Sequence, residues 1–173
     1  MTKVKWPSKV ESQRWEIGEF LDVYRRLPHG LDLEVVEERD KPDFFVQEVG
    51  GVRRFGVELT SVYLNDRSVP DAHMNESFDW LDLECDLEQL ALYEARLAQA
   101  VGEKVKIARR EYDIRYPLLL SIYVNEYISK FITKERWYKL RLDHDTVFGD
   151  TAPFIEVLFW NLPNNGAFSI RSS

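Results

Sequence analysis

Two carboxylates are placed where they could do chemistry together. Asp43 opens the run Asp43-Phe44-Phe45-Val46-Gln47-Glu48-Val49, and Glu58 lies in the run from Val52 to Tyr63. Both runs are rich in β-branched and aromatic residues, and Gly50-Gly51 joins them, which is a hairpin signal with a type I′ or II′ turn. If the two glycines form a two-residue turn, Val49 faces Val52. Stepping outward then pairs Val46 with Phe55 and Phe44 with Val57. Those four side chains share one apolar face, as a half-buried sheet requires. On the other face the same register sets Asp43 across from Glu58, with Thr60 next along. Opposed carboxylates repel. A hard divalent cation such as Mg²⁺ (or Mn²⁺) relieves that repulsion, because it takes oxygen ligands and keeps several waters. The competing reading leaves Asp43 at a frayed strand end, pointing into water.

A lysine and a glutamate elsewhere belong to the same question. From about Phe78 to Tyr112, Leu83, Leu87, Leu90, Leu97, Val101 and Ala108 mark one helical stripe. Lys104 falls on that stripe, with Ala100, Val101, Ile107 and Ala108 as its helical neighbours. Lys106, among Gly102, Glu103, Arg109 and Arg110, belongs to the solvated side. Lys104 therefore either snorkels to water or reaches a carboxylate site under the helix. Glu16 lies beside Phe20 at the edge of an apolar stripe on an earlier helix. Glu19, among Trp15, Glu16, Asp22 and Val23, is the poorer candidate. For both, an exposed position is the default.

The elements that must position these residues follow from periodicity and turn chemistry. Residues 12–27 read as a helix capped by Ser12, with Ile17, Phe20, Tyr24 and Leu27 as its stripe, ended by Pro28-His29-Gly30. A short strand is expected at 33–36. Residues 65–77 read as a loop. The helix of 78–112 is long enough for a break near Gly102. Pro117 opens Leu118–Val124, a continuous apolar run that reads as a strand buried on both faces. Residues 126–142 are ambiguous and partly helical. Phe154–Trp160 and Ala167–Ile170 read as a closing hairpin around Pro163-Asn164-Asn165-Gly166. No repeat, low-complexity tract or interdomain linker is evident, so residues 1–173 read as one α/β domain.

The ordered set resembles the PD-(D/E)XK nuclease-like superfamily. It comprises a helix with Glu16, Pro42-Asp43 opening a strand, a Gly-Gly hairpin, Glu58-Leu59-Thr60 on the next strand, a long helix and an apolar strand, over roughly Glu16 to Val124. The resemblance implies a restriction-endonuclease-like core, a central mixed β-sheet flanked by helices. It implies that Asp43 and Glu58 bind Mg²⁺ or Mn²⁺, with Glu16 adding a ligand through water. A lysine usually stands two residues after the Glu; here Thr60 does. Some branches take the lysine from the following helix, and Lys104 stands where such a migrated lysine is expected. The implied activity is hydrolysis of DNA or RNA phosphodiesters, with Asp43, Glu58 and Lys104 as the catalytic set. Arg53, Arg54, Arg109, Arg110 and Arg115 are candidates to hold the phosphate backbone, and a solvated helix face explains most of them equally well.

Composition bounds these readings. The 173 residues suit one domain and allow a sizeable core. With 23 basic and 30 acidic residues the net charge is −7, which argues against coating nucleic acid by bulk charge but not against a local basic groove. The single cysteine, Cys85, excludes an internal disulfide and a cysteine-based zinc site, and fits a reducing, cytoplasmic setting. The residues after Met1 lack the apolar run of a signal peptide, and nothing approaches the roughly 18 apolar residues of a membrane span.

Other residues are better explained by structure. His29, His73 and His144 show no ligand spacing, and Asp143-His144-Asp145 reads as a polar loop. The acidic run around Cys85 suits a helix start. Ser61 lacks a neighbouring triad pattern. The five tryptophans and eight tyrosines suit core packing before base stacking. The rival to a nuclease is a catalytically inactive interaction module on the same scaffold. Thr60 and the net charge favour it, with a partner protein docked on the acidic body or a homodimer paired through an edge strand.

Overall fold

The computed structural model describes residues 8–63, 87–124, 130–162 and 166–172. Its first element is helix α1, Lys9–Tyr24, followed by strands β1 (Leu33–Glu38), β2 (Phe44–Glu48) and β3 (Arg54–Val62). Helix α2 (Leu87–Glu111) leads to β4 (Leu118–Val124), helices α3 (Lys134–Asp143) and α4 (Asp145–Phe148), and strands β5 (Phe154–Leu162) and β6 (Gly166–Arg171). The sheet is mixed, in the order β1-β2-β3-β4-β5-β6. β3, β4 and β5 run parallel, and the antiparallel pairs β1/β2, β2/β3 and β5/β6 flank them. The α/β expectation, a central mixed sheet flanked by helices, holds.

The two faces of the sheet are separate cores. Ile17, Phe20, Val23 and Tyr24 of α1 pack on Phe44, Val46, Val57, Leu59, Leu119, Tyr123, Leu158 and Trp160. The other face carries α2, α3 and α4, with Leu97, Val101, Val105, Trp137, Leu140 and Phe148 against Leu118, Leu120, Ile122, Val157 and Phe159. All seven residues of β4 are buried, as expected for a strand between two parallel partners. Within it, Ser121 accepts a hydrogen bond from Trp160 Nε1 at 2.8 Å.

Several local expectations are corrected. Helix α1 begins earlier: Ser8, not Ser12, is its cap. Ser8 and Glu11 form a reciprocal capping box, a pattern that satisfies two orphan N–H groups at once. Tyr24 ends the helix, before Leu27. The β2–β3 turn is wider than two residues. Glu48 N donates to Arg53 O and Gly51 N to Glu48 O, with Gly50 at φ 70°, the position a type II turn reserves for glycine. Val49 is drawn out of the hairpin because its N–H donates to Asp32 O. The register survives the wider turn: Phe44 pairs with Val57 and Val46 with Phe55.

α2 runs through Gly102 without a break. Leu90, Leu97, Val101 and Ala108 are buried as expected, whereas Leu87 is 74% exposed at the first residue of the described helix. The expected strand at 33–36 extends to Glu38. Asp143 and Asp145 end α3 and begin α4, and His144 joins the two helices instead of forming a loop. Glu88, of the acidic run around Cys85, lies in the first turn of α2; the expectations for 65–77, 78–86 with Cys85, His73, Trp6, Trp80 and 163–165 fall outside the described residues.

Candidate active site

The site forms where β2 begins and β3 runs past it. Because β2 starts at Phe44, Leu59 has no ladder partner on that side. The Asp43 carboxylate takes the place of the missing strand: Leu59 N donates to Asp43 Oδ2 at 2.8 Å, and Gln13 Nε2 of α1 donates to Oδ1 at 3.1 Å. Asp43 is therefore fixed, not frayed into water. Burial first, and then the Glu58 charge, push its pKa up to about 6, against the pull of the Leu59 N–H, Lys104 and Lys9.

Alternation along β3 sends Glu58 toward α2 and Ser61 toward α1. Glu58 is only 3% exposed, and Lys104 Nζ of α2 donates to its Oε1 at 2.5 Å. The inward lysine thus has its carboxylate partner. Tyr112, at the end of the same helix, also feels Glu58: burial first, and then that carboxylate, hold its phenol well above the usual value. Glu58 Oε2 is buried and has no hydrogen-bond partner among the described residues.

From the opposite face, Glu16 of α1 reaches the same end of β3. Ser61 Oγ donates to Glu16 Oε2 at 3.0 Å, while Oε1 is buried with no partner. Glu16 is buried, not the exposed glutamate that its type suggests. Burial pushes its pKa up to about 7; Ser61 opposes the rise, Asp43 adds to it and Lys104 opposes it. Glu16, Asp43, Glu58 and Lys104 therefore act on one another electrostatically, although they come from α1, the start of β2, β3 and α2.

The donors suit a hard cation. They are carboxylate oxygens, and two of them are buried and unpartnered, a condition that is costly unless something binds there. Among the described residues no group of three or more His, Cys, Asp or Glu side chains is gathered into a metal cage. Asp43, Glu58 and Glu16 offer only carboxylate oxygens, the donor type that Mg²⁺ takes.

The arginines nominated from sequence are engaged elsewhere. Arg53 pairs with Glu48 at 2.7 Å, Arg109 with Asp150 at 2.8 Å and Arg115 with Asp113 at 2.7 Å. Arg110 lies 3.5 Å from Glu111, and Arg54 binds Gln47 and Tyr116. Among the described residues, Lys104 and Lys9 act on Asp43 and Lys41 acts on Glu58, Lys41 being also paired with Glu111. Sequence reasoning passed over Lys9, Lys41, Gln13 and Tyr112, and discounted Ser61. Gln13 sits three residues before Glu16, one helical turn away, and that spacing was the available signal.

A second buried polar cluster lies at the other end of α1. Glu156 is 2% exposed. Its Oε1 meets His29 Nε2 at 2.8 Å and accepts from Ser169 Oγ, and Tyr24 Oη donates to Oε2 at 3.4 Å. All its oxygens are satisfied, and the cluster ties the end of α1 to β5 and β6.

No family model, curated protein or solved structure matches the chain.

Proposed function

We propose that this chain is a metal-dependent nuclease-like protein that hydrolyses nucleic-acid phosphodiester bonds, built on a restriction-endonuclease-like arrangement with its lysine on the helix after β3. The observation that carries the reading is the pair of buried carboxylate oxygens without hydrogen-bond partners among the described residues, Glu58 Oε2 and Glu16 Oε1. Asp43 and Glu58 would hold Mg²⁺ or Mn²⁺, and Glu16 would add a ligand through water. The bound ion supplies a water of lowered pKa and screens the phosphate charge. The protein's share is positional. Leu59 N–H and Gln13 fix the Asp43 carboxylate, and Ser61 fixes one oxygen of Glu16. Lys104 pairs with Glu58 at rest and would donate to negative charge that grows on a phosphate beside it. Thr60, in the usual lysine position, turns its hydroxyl onto Leu59 O at 2.8 Å and takes no part.

The test is Mn²⁺ or Mg²⁺ binding by calorimetry with wild type, Asp43→Ala and Asp43→Asn, followed by cleavage of plasmid DNA and a structured RNA. Binding in the wild type, lost in both variants and accompanied by metal-dependent cleavage, supports the reading. The second reading, an inactive interaction module, draws on the closed Lys104–Glu58 pair, which already occupies one Glu58 oxygen. It predicts no metal binding in the wild type and full retention of fold in Asp43→Asn.

A further inference from the structure

The Glu58 face of the β2–β3 hairpin carries a group of cations held on aromatic rings. Residues 54, 56 and 58 alternate to the same side of β3, so Arg54 lies on the face that carries Glu58, roughly 13 Å along the strand. Phe45 is the register partner of Gly56. The loop after α2 sets Tyr116 against it, the ring centroids 5.1 Å apart. Three guanidiniums rest on these two rings. Arg39 stands 4.6 Å and Arg115 5.8 Å from the Phe45 centroid, and Arg54 stands 5.8 Å from that of Tyr116. A guanidinium supported on a ring keeps its edge donors for a third group.

Charge compensation within the group is incomplete. Asp113 serves both Arg115, at 2.7 Å, and Arg39, at 3.6 Å, and Glu37 adds a contact to Arg39 at 3.5 Å. Glu111 serves both Lys41 and Arg110. Arg54 has no carboxylate partner among the described residues. Its Nε donates to Gln47 at 2.8 Å and its Nη1 to the Tyr116 hydroxyl at 3.2 Å, and both partners are uncharged. In the strand register Gln47 stands between Arg54 and Glu34. An exposed guanidinium is thus fixed by neutral groups, while its charge and its Nη2 donors stay available. In a chain of net charge −7 acids are plentiful, and an arginine that served packing alone could readily take one. The group also runs into the candidate site, because Lys41 precedes Pro42-Asp43 and acts on Glu58.

We infer that Arg54 anchors a phosphate of the bound nucleic acid, and that the backbone runs along the Glu58 face of β3 between Arg54 and the candidate site. This rests on the nuclease-like reading and adds to it where the substrate lies. A phosphate supplies the negative charge that Arg54 lacks as a partner, and its oxygens accept from the remaining guanidinium donors in a charge-assisted bond. Arg115, 59% exposed and resting on Phe45, stands on the same face as a second contact. Contacts of this kind fix register and orientation on the backbone and read no base. An acidic protein segment offers charge of the same sign, and the experiment separates it from a nucleic acid.

The experiment is binding of a fluorescein-labelled short DNA duplex and a labelled single-stranded RNA to the full chain in EDTA, by anisotropy at several salt concentrations, with poly-glutamate as a competitor. Arg54→Gln removes the charge, Arg54→Lys keeps it, and Lys106→Gln removes a cation from the solvated side of α2. Circular dichroism checks the fold of each. The expected result is binding of at least one probe by wild type. Arg54→Gln should weaken it roughly fivefold and reduce the slope of log affinity against log salt by about one. Arg54→Lys should keep the slope, Lys106→Gln should behave as wild type, and poly-glutamate at equal charge should compete poorly. No binding by wild type, an unchanged slope in folded Arg54→Gln, an equal loss in Lys106→Gln, or displacement by poly-glutamate as effective as by unlabelled nucleic acid overturns the inference. Calorimetry with Mn²⁺ separates the two failures: metal binding without backbone binding leaves the nuclease-like reading standing, and backbone binding that depends on Arg54 without metal binding does the reverse.

Discussion

At the scale of single residues, the site is a balance of buried charge. Lys104 is the cation within hydrogen-bond reach of Glu58, and removing one partner of a buried pair strands the other. Lys104→Met should lower unfolding stability at neutral pH by about 3 kcal/mol, measured by urea denaturation. Glu16 and Asp43 set a pH dependence whose sign is fixed. Their folded values, about 7 and about 6, lie above the ordinary 4.5 and 3.8. The folded chain therefore holds more protons than the unfolded chain between those limits. Stability of the metal-free protein from these two groups is fully present below about pH 4 and is lost as pH rises through about 7. Glu16→Gln removes part of that loss, so its stability relative to wild type should be greater at pH 8 than at pH 5. Thermal unfolding at the two pH values measures the difference.

At the scale of elements, two glycines make opposite predictions. Gly56 on β3 lies under Pro42: a Cβ there would sit 2.7 Å from Pro42 Cγ and 2.5 Å from Leu118 Cδ2. Gly56→Ala should cost about 1–3 kcal/mol by overpacking. On the proposed metal-dependent reading it should also weaken Mn²⁺ binding, because the displaced Pro42 carries Asp43 with it; calorimetry on the folded variant reads this second effect. Gly102, inside α2, would bring a Cβ only to ordinary contact with Val147, at 3.8 Å. Gly102→Ala should stabilise the protein by about 1 kcal/mol through helix propensity, seen as a higher Tm.

At the scale of the whole molecule, the six-stranded sheet has β1 and β6 as its edges. β1 exposes Val35 and Val36, at 43% and 45%, but flanks them with Glu34, Glu37 and Glu38 and carries a register shift between Val35 and Glu37. Acids and irregularity of this kind discourage edge-to-edge pairing. Replacing the three glutamates by glutamine should shift the protein toward dimers and larger species, measured by light scattering after gel filtration. In the same molecule, α1 joins two buried polar clusters. Glu16 works toward the candidate site, while Tyr24 and the following His29 bind Glu156 at the other end.

Much of this was legible in the sequence, for physical reasons. Strand alternation has a period of two, so Phe44, Val46, Phe55 and Val57 set the β2–β3 register, which ends at the pair Phe44–Val57, one step short of Asp43 and Glu58. The helical stripe put Lys104 on the buried side of α2. The apolar run 118–124 declared a strand covered on both faces. The turn was misread because the Val49 N–H is taken by Asp32, a partner from outside the hairpin. The helix start was misread because Ser8 and Ser12 are both good caps, and only Ser8 has Glu11 three residues on.

Tertiary structure alone decided the rest. Burial of Glu16 depends on α1 lying across β3, and its bond to Ser61 spans a separation in sequence that no periodicity encodes. The same holds for Gln13 on Asp43 and for Glu156 with His29. Sequence patterns report which face of an element is apolar, because that is a local property of spacing. They do not report which polar groups two packed elements bring together, because that depends on the angle and offset at which their surfaces meet.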